Sequence, residues 1–250
     1  MFKKQIHQTT RSEGAWNGGR RIVVEFRTTG DAVPAVLLLP NDAAPAPAAL
    51  LLHGYTSRKE HMAEGMGAAL LERGIASLSI DLPLHGTRSD PVQAQAARNP
   101  LALLRVWRQA VAESSLALRY LAARPEVDGE RLAVAGYSLG SFLATLLAAQ
   151  EKSVRALVLA AGGDLPSNTP MAAVARSVAD PVRAIRKLDG RPLLMVHGRS
   201  DRTMTPAQAE RLFAAAAEPK ELRWWNAGHI LPPEAIRYAA GWLAERLDAG

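Results

Sequence analysis

The strongest constraint on the fold is an alternation of short apolar, β-favouring runs with amphipathic helix patterns from residue 49 onward. The strands are expected at 49–54, 75–81, 131–137, 154–163, 192–198 and 221–226. The helices are expected at 60–74, 101–123, 139–150, 205–217 and 232–247. Such alternation predicts parallel β-α-β units with right-handed crossovers. The fold class is therefore α/β, with a mostly parallel sheet and helices on both faces.

The N-terminal part of the chain carries two further strand patterns, at 20–26 and 35–40. Turn-forming Gly30, Asp31 and Pro34 lie between them, which predicts a hairpin. Neither an internal repeat nor a linker-like segment divides the sequence. We therefore expect residues 1–250 to form a single domain.

Composition narrows the class of protein. The hydrophobic share of 48% and the mean hydropathy of −0.05 are typical of a soluble protein with a sizeable core. No apolar run approaches the ~20 residues of a membrane-spanning helix, so no membrane partner is expected. The N-terminus shows no apolar signal-peptide region, and the chain has no cysteine for disulfides, thiolate metal sites or a thiol nucleophile. We expect a cytoplasmic protein.

The chain is basic, with a formal net charge of +6 and a pI of about 10.0. Its lysines and arginines are spread along the sequence without long basic runs or interleaved aromatics, so a nucleic-acid partner is not expected. The histidines lack metal-ligand spacing, and no nucleotide-binding glycine loop is present. We therefore expect no metal and no cofactor. The expected state is a monomer or a small homo-oligomer that acts on a small-molecule ester.

A serine stands at the corner between a strand and a helix. The segment "VAGYSLGS" (134–141) places Ser138 between Gly136 and Gly140, after a strand pattern and before a helix pattern. In a G-x-S-x-G turn the glycines keep the corner open, and the serine hydroxyl points out of the top of the sheet. The alternative is a purely structural turn. The strand and helix on either side favour a nucleophile.

A serine nucleophile requires a base and an acid. His229 follows the last strand pattern, and Asp201 follows the one before it, so both belong to loops at the same sheet edge. Asp164, after an earlier strand, is the rival acid. Of the other histidines, His197 is expected to be structural, whereas His53 could brace the loop around the site. His85 could line a pocket.

Two backbone N–H groups are expected to stabilise the oxyanion. One belongs to Leu139, directly after the nucleophile, and the other to Tyr55, in the loop after the strand at 49–54. The Tyr55 ring could contact substrate or pack against the protein.

Five segments together resemble the α/β-hydrolase superfamily: "HGYTS", "DLPLHGTRS", "GYSLGS", "HGRSDRTMTP" and "AGHI". The resemblance covers roughly residues 20–247. Within the superfamily, the chain is similar to the serine esterases grouped with dienelactone hydrolase-like, acetyl-xylan-esterase-like and prolyl-oligopeptidase-like hydrolases. It implies an eight-stranded, mainly parallel sheet and a catalytic triad of Ser138, Asp201 and His229. True dienelactone hydrolases use a cysteine nucleophile, which this chain lacks.

The pocket cover is expected to be small. Only 164–191 is available for an insertion after the sixth strand of the resembled fold, and 84–108 is the other candidate cap element. Apolar residues in the second segment could form a pocket wall or simply pack on the sheet: Leu101, Leu103, Leu104, Val106 and Trp107. A small cap offers little apolar surface, so short acyl chains are expected.

Three functions compete. The first is a serine carboxylic ester hydrolase that forms an acyl-enzyme. The alternative is an aminoacyl or peptide hydrolase of the prolyl-oligopeptidase-like type, although such enzymes carry an upstream propeller for which the N-terminal segment offers little room. A non-enzymatic binding protein would commonly lack a triad member, and all three are present here.

Overall fold

The computed structural model describes residues 6–27, 31–41, 44–90, 99–165, 176 and 179–248, and a single sheet runs through them. The strand order is β1-β2-β3-β5-β4-β6-β7-β8-β9. The strands are β1 His7–Trp16, β2 Gly19–Arg27, β3 Val33–Pro40, β4 Ala46–Leu52, β5 Ala76–Ile80, β6 Val127–Tyr137, β7 Val154–Ala160, β8 Leu193–Gly198 and β9 Lys220–Trp225. From β5 to β9 every neighbouring pair is parallel, which confirms the α/β class.

The N-terminal strands pair antiparallel and extend the sheet. β2 and β3 form the expected hairpin, and β3 pairs antiparallel with β5. β1, which the sequence analysis did not identify, brings the described sheet to nine strands rather than eight. Its side chains are almost all exposed, so no apolar alternation marks it. The available signal was Asn17-Gly18, whose positive φ angles of 45° and 80° suit a two-residue hairpin.

Helices cover both faces of the sheet, as expected. They are α1 (Lys59–Met62, a π-helical turn Ala63–Gly67, then Ala68–Leu71), α2 Pro100–Ala122, α3 Leu139–Gln150, α4 Pro181–Ile185, α5 Pro206–Ala215 and α6 Pro233–Asp248. One apolar core lies between the sheet and α2, α3 and α5, and a second lies between the sheet and α1 and α6. No helix in the described ranges combines the length and the apolar composition that crossing a membrane requires.

The helix predicted at 60–74 differs from expectation in its interior and its end. Its middle is a π-helical turn, and the α-helical part ends at Leu71. Gly74, with φ of +69°, then reverses the chain toward β5. The helix has small residues at Gly65 and Gly67, and a Cβ on Gly67 would lie 2.9 Å from the Ser77 Oγ of β5. The chain therefore passes close to the sheet at this point.

The two candidate cap elements are described in part. In 84–108, a 3-10 turn at Gly86–Arg88 precedes α2, and residues 91–98 lie outside the described part. In 164–191, α4 follows Asp180, whose carboxylate caps it by accepting from the N–H groups of Val182 and Arg183. Residues 166–175 and 177–178 of this segment also lie outside the described part.

A buried ion pair fastens the loops at the carboxyl edge of the sheet. Asp81, directly after β5, accepts from Lys59 Nζ at 2.9 Å and from Lys59 N at 2.9 Å. It also accepts from the Thr87 N–H and hydroxyl, at 2.9 and 2.8 Å. Burial alone would raise the pKa of Asp81, but these hydrogen bonds outweigh it and hold the pKa below its ordinary value. The start of α1, the end of β5 and the 3-10 turn are thereby joined.

We expect Asp81→Ala to lower the free energy of unfolding by about 2–4 kcal/mol, because it removes the carboxylate that accepts from Lys59 and Thr87 and leaves the buried Lys59 Nζ with Glu60 as its remaining carboxylate partner. Urea unfolding followed by circular dichroism measures the change. The control is Glu234→Ala, which removes an exposed ion pair with Arg237 and is expected to cost less than about 1 kcal/mol. Equal losses in the two variants would contradict a structural role for the buried pair.

Candidate active site

Ser138 occupies a strained corner between β6 and α3. Its φ and ψ angles are 50° and −111°, a conformation that a side-chain-bearing residue rarely adopts. Hydrogen bonds hold it there: its N–H donates to the Ala160 carbonyl at 2.9 Å, and its carbonyl accepts from the N–H and hydroxyl of Ser141. The predicted G-x-S-x-G geometry is therefore present.

The glycines at this corner are required by close backbone contacts. A Cβ on Gly136 would lie 2.2 Å from the Gly140 carbonyl oxygen, and a Cβ on Gly140 would lie 2.0 Å from the Leu52 carbonyl oxygen. Both distances are far below van der Waals contact. The corner therefore packs directly against the end of β4, where the loop containing Tyr55 begins.

The structure brings Ser138, His229 and Asp201 into one hydrogen-bonded series. Ser138 Oγ lies 2.9 Å from His229 Nε2, and His229 Nδ1 lies 2.8 Å from Asp201 Oδ2. His229 follows β9, and Asp201 follows β8, as the sequence predicted. The series runs from a partly exposed imidazole to a fully buried carboxylate.

Asp201 is held by its own loop. Its Oδ1 accepts from the backbone N–H groups of Thr203 and Met204, at 2.8 and 2.9 Å, which leaves Oδ2 for His229. The rival carboxylate, Asp164, has different partners. It forms a two-bond contact with Arg176 at 2.9 and 3.0 Å, and a further contact with Arg211 at 3.3 Å.

His197 is buried beside Asp201, in keeping with the structural role expected for it. Its Nε2 lies 2.8 Å from the Met204 carbonyl and 3.6 Å from Asp201 Oδ2. Burial lowers the pKa of His197, which favours a neutral ring beside the carboxylate. In this form its Nε2–H donates to Met204, the residue whose N–H donates to Asp201.

Tyr137 fixes the loop that carries the histidine, and sequence reasoning missed it. Its hydroxyl donates to the His229 carbonyl at 2.6 Å and accepts from the Leu231 N–H at 2.9 Å. Burial raises the pKa of Tyr137, so the phenol remains protonated and able to donate. The only available signal was its position between Gly136 and Ser138, which places it at the same corner as the serine.

His53 braces the loop that carries Tyr55, as the sequence suggested. The Leu82 N–H can only donate, so His53 Nε2 accepts it at 3.1 Å. His53 Nδ1 therefore carries the proton and donates to the Gly54 carbonyl at 2.8 Å. Burial lowers the pKa of His53 from 6.5 to about 4, so the neutral ring persists at neutral pH.

This hydrogen bond orients the peptide between Gly54 and Tyr55. The peptide is trans, so its C=O and N–H point in opposite directions, and the Tyr55 N–H points away from His53. The segment adjoins the serine, because a Cβ built on Gly54 would lie 3.4 Å from the Ser138 Cβ. Leu139 begins α3 directly after Ser138. The residues expected to supply the two oxyanion donors thus flank Ser138.

A cavity of about 770 Å³ adjoins this site. Tyr55, His85 and Leu139 line one part of it. Tyr55 is 73% exposed as a residue, and its ring makes an edge contact with the His85 ring. An apolar wall comes from the loop after β5 and from α2: Leu82, Pro83, Leu84, Leu103, Val106 and Trp107.

The segment 84–108 thus contributes to this wall. Trp107 also packs against the core beneath. Leu101 and Leu104 are not among the described lining residues, and Leu101 is exposed.

Comparison with known proteins gives the family. Residues 33–230 match the model of the dienelactone hydrolase family. The chain is 24% identical over 253 aligned residues to esterase YjfP of Escherichia coli (strain K12), with 90% of this chain and 100% of that protein covered.

Solved structures show the same fold. TT1662 from Thermus thermophilus superposes with a TM-score of 0.72 at 27% identity, covering 87% of this chain and 95% of that one. An acetyl xylan esterase from Paenibacillus sp. R4 superposes with a TM-score of 0.79 over 98% of this chain and 90% of that one, at 16% identity. The second likeness concerns the fold alone. With the family model spanning most of its length, the chain belongs to the dienelactone hydrolase family, and it is a hydrolase with the α/β-hydrolase fold.

Proposed function

We propose that this chain is a serine carboxylic ester hydrolase that works through an acyl-enzyme on Ser138. The observation that carries the proposal is the unbroken series of hydrogen bonds from Ser138 Oγ through His229 to Asp201. A serine hydroxyl is a weak nucleophile until a base removes its proton, and this series supplies the base and a partner for its charged form.

In the first step Ser138 Oγ attacks the ester carbonyl carbon while its proton passes to His229 Nε2, 2.9 Å away. Asp201 Oδ2 accepts from His229 Nδ1–H, which leaves Nε2 unprotonated before the attack. After the transfer, the buried carboxylate stabilises the imidazolium. The hydrogen bonds from Thr203 and Met204 keep that carboxylate in place.

The tetrahedral intermediate places a negative charge on the former carbonyl oxygen. We propose that the N–H groups of Leu139 and Tyr55 stabilise it. Leu139 lies at the N-terminus of α3, where the helix dipole also favours negative charge. The His53 bond to the Gly54 carbonyl holds the Tyr55 N–H in a fixed direction, so the donor needs no reorganisation during the reaction.

Collapse of the intermediate breaks the bond to the leaving oxygen, and His229 donates its proton to the departing alcohol. A water molecule then attacks the acyl-enzyme with His229 again acting as base. This second attack releases the carboxylic acid and restores Ser138. An amide could enter the same sequence of steps, with an amine as the leaving group.

Ser138→Ala is expected to lower kcat for p-nitrophenyl ester hydrolysis at least about a thousandfold and to abolish labelling by a fluorophosphonate. The matched control is Ser200→Ala, at an exposed serine on the loop after β8, which should keep wild-type activity. Undiminished activity in Ser138→Ala would overturn the nucleophile. Faster turnover of aminoacyl-p-nitroanilides than of esters would favour the peptide hydrolase instead.

His53 gives a prediction about pH. The unfolded chain takes up a proton at His53 near pH 6.5, whereas the folded chain does so only near pH 4. The contribution of neutral His53 to the free energy of unfolding is therefore fully present above about pH 6.5 and is lost as the pH falls toward 4. The difference in free energy of unfolding between wild type and His53→Gln should favour wild type by about 2–3 kcal/mol more at pH 7.5 than at pH 4.5.

Urea unfolding of both proteins at the two pH values provides the test, because the other titrating groups cancel in the difference. His61→Gln, at an exposed histidine, is the control and should change stability by no more than about 0.5 kcal/mol at either pH. A wild-type advantage that does not change with pH would show that His53 titrates normally.

A further inference from the structure

We propose that the 770 Å³ cavity binds the acyl part of the ester, and that this acyl group is a medium-length apolar chain rather than acetyl. The inference rests on the proposed function, since it assumes attack by Ser138. It concerns which side of the ester bond the cavity serves and how large a group it takes.

The direction of proton transfer identifies the side. His229 must reach the leaving oxygen to protonate it, so the alcohol part of the ester lies toward His229. The carbonyl oxygen faces the N–H groups of Leu139 and Tyr55, and the acyl chain extends away from the imidazole. Leu139 and Tyr55 both line the cavity, whereas Ser138, His229 and Asp201, which are also among the described residues, do not, so the cavity begins at the two expected oxyanion donors and extends away from the imidazole. The cavity thus lies on the acyl side.

The chemistry of the walls indicates the kind of group. The described part of the loop after β5, together with α2, supplies a wall of aliphatic side chains and Trp107, and Leu143 of α3 extends it. Among the described lining residues none is acidic, and the one formally charged group is Arg58, whose side chain is 58% exposed and lies 3.7 Å from Glu60. Such walls favour an uncharged hydrocarbon chain.

The wall is also firmly held. Trp107 packs against the core, and its ring makes an edge contact with Phe142 of α3. Arg88 binds both carboxylate oxygens of Glu113 on α2, at 2.6 and 2.9 Å, so the loop after β5 is tied to the helix opposite. Both sides of the cavity are therefore fixed in the absence of substrate, which lowers the entropic cost of binding an acyl chain.

Size argues against acetyl. The cavity lies in the range of pockets that hold whole small-molecule ligands, about 300–1,000 Å³. An acetyl group has one methyl beyond the carbonyl carbon and would leave most of the apolar wall in contact with water. The expectation of short chains came from the small size of the two cap segments, 164–191 and 84–108. Within 84–108, Leu103, Val106 and Trp107 do line the cavity, and Leu82 and Pro83 of the loop after β5 add to the apolar wall.

The first experiment compares two isomeric esters, ethyl hexanoate and hexyl acetate, in a pH-stat assay. They have the same composition, and only the side of the ester bond that carries the long chain differs. We expect kcat/KM to be at least tenfold higher for ethyl hexanoate. Equal values, or a preference for hexyl acetate, would overturn the assignment of the cavity to the acyl group.

The second experiment narrows the cavity. Ala110 lines it from α2, and Ala110→Leu should lower the ratio of kcat/KM for p-nitrophenyl hexanoate to that for the acetate at least tenfold. In wild type this ratio should exceed about ten, since each buried methylene contributes roughly three- to fourfold. The control is Ala112→Leu, the same change at an exposed position of the same helix, which should leave the ratio unchanged.

A ratio within one variant is independent of the fraction of protein that folds. Val106→Phe, at a half-buried lining position, makes the same test if Ala110→Leu does not fold. If wild type prefers the acetate ester and Ser138→Ala abolishes this hydrolysis, this inference would be overturned and the proposed ester hydrolase function would be supported. No hydrolysis of any ester would instead overturn the proposed function.

Discussion

The site depends on one steric constraint, the contact between the start of α3 and the end of β4. At Gly140 a Cβ would lie 2.0 Å from the Leu52 carbonyl oxygen, so only glycine allows this approach. Leu52 is the last residue of β4, and the chain continues from it through His53 into Gly54 and Tyr55. The same close approach, at the corner where Ser138 has φ of +50°, therefore brings the Tyr55 segment beside the serine. Strain of about 1–3 kcal/mol at such a residue persists because the surrounding hydrogen bonds over-determine it.

Buried polar side chains then fix the backbone around this corner. Tyr137 holds the carbonyl of His229, His53 holds the carbonyl of Gly54, and Asp201 is held by two N–H groups of its own loop. Asp81 does the same for the start of α1 and the turn after β5. Each of these four side chains hydrogen-bonds to main-chain groups, so the loops hold their conformation before substrate binds. Preorganisation of this kind is what electrostatic catalysis in a site requires.

The parts of this arrangement that could be predicted from sequence are those that local patterns encode. The periodicity of apolar residues predicts the parallel strands and the helices between them, and the positions of Ser138, Asp201 and His229 directly after such strands predict that they lie at one edge of the sheet. Because the three side chains share this edge, they are close enough to form the hydrogen bonds that the structure shows. The sequence did not predict strand β1, because its side chains are exposed and show no apolar alternation. Asn17-Gly18 nevertheless indicated the turn that follows it.

Other features depend on contacts between distant residues, and no single segment encodes them. The pairing of Lys59 with Asp81 joins positions 22 residues apart, and the tie between Tyr137 and the His229 loop spans 92. A sequence shows that these residues are polar but not which main-chain groups they reach. The cavity also depends on distant residues, since α2, α3 and the loop after β5 enclose it only when they pack together.

Chemistry and substrate size have separate physical origins in this fold. The proposed nucleophile, base and acid follow β6, β9 and β8, whereas the cavity wall comes from the loop after β5 and from α2. Leu139 is where the two meet, because its main chain adjoins Ser138 and the residue also lines the cavity. The α2 residues that line the cavity make none of the hydrogen bonds of the Ser138–His229–Asp201 series, so the cavity and the series can change independently. Likeness of fold alone therefore does not determine the substrate.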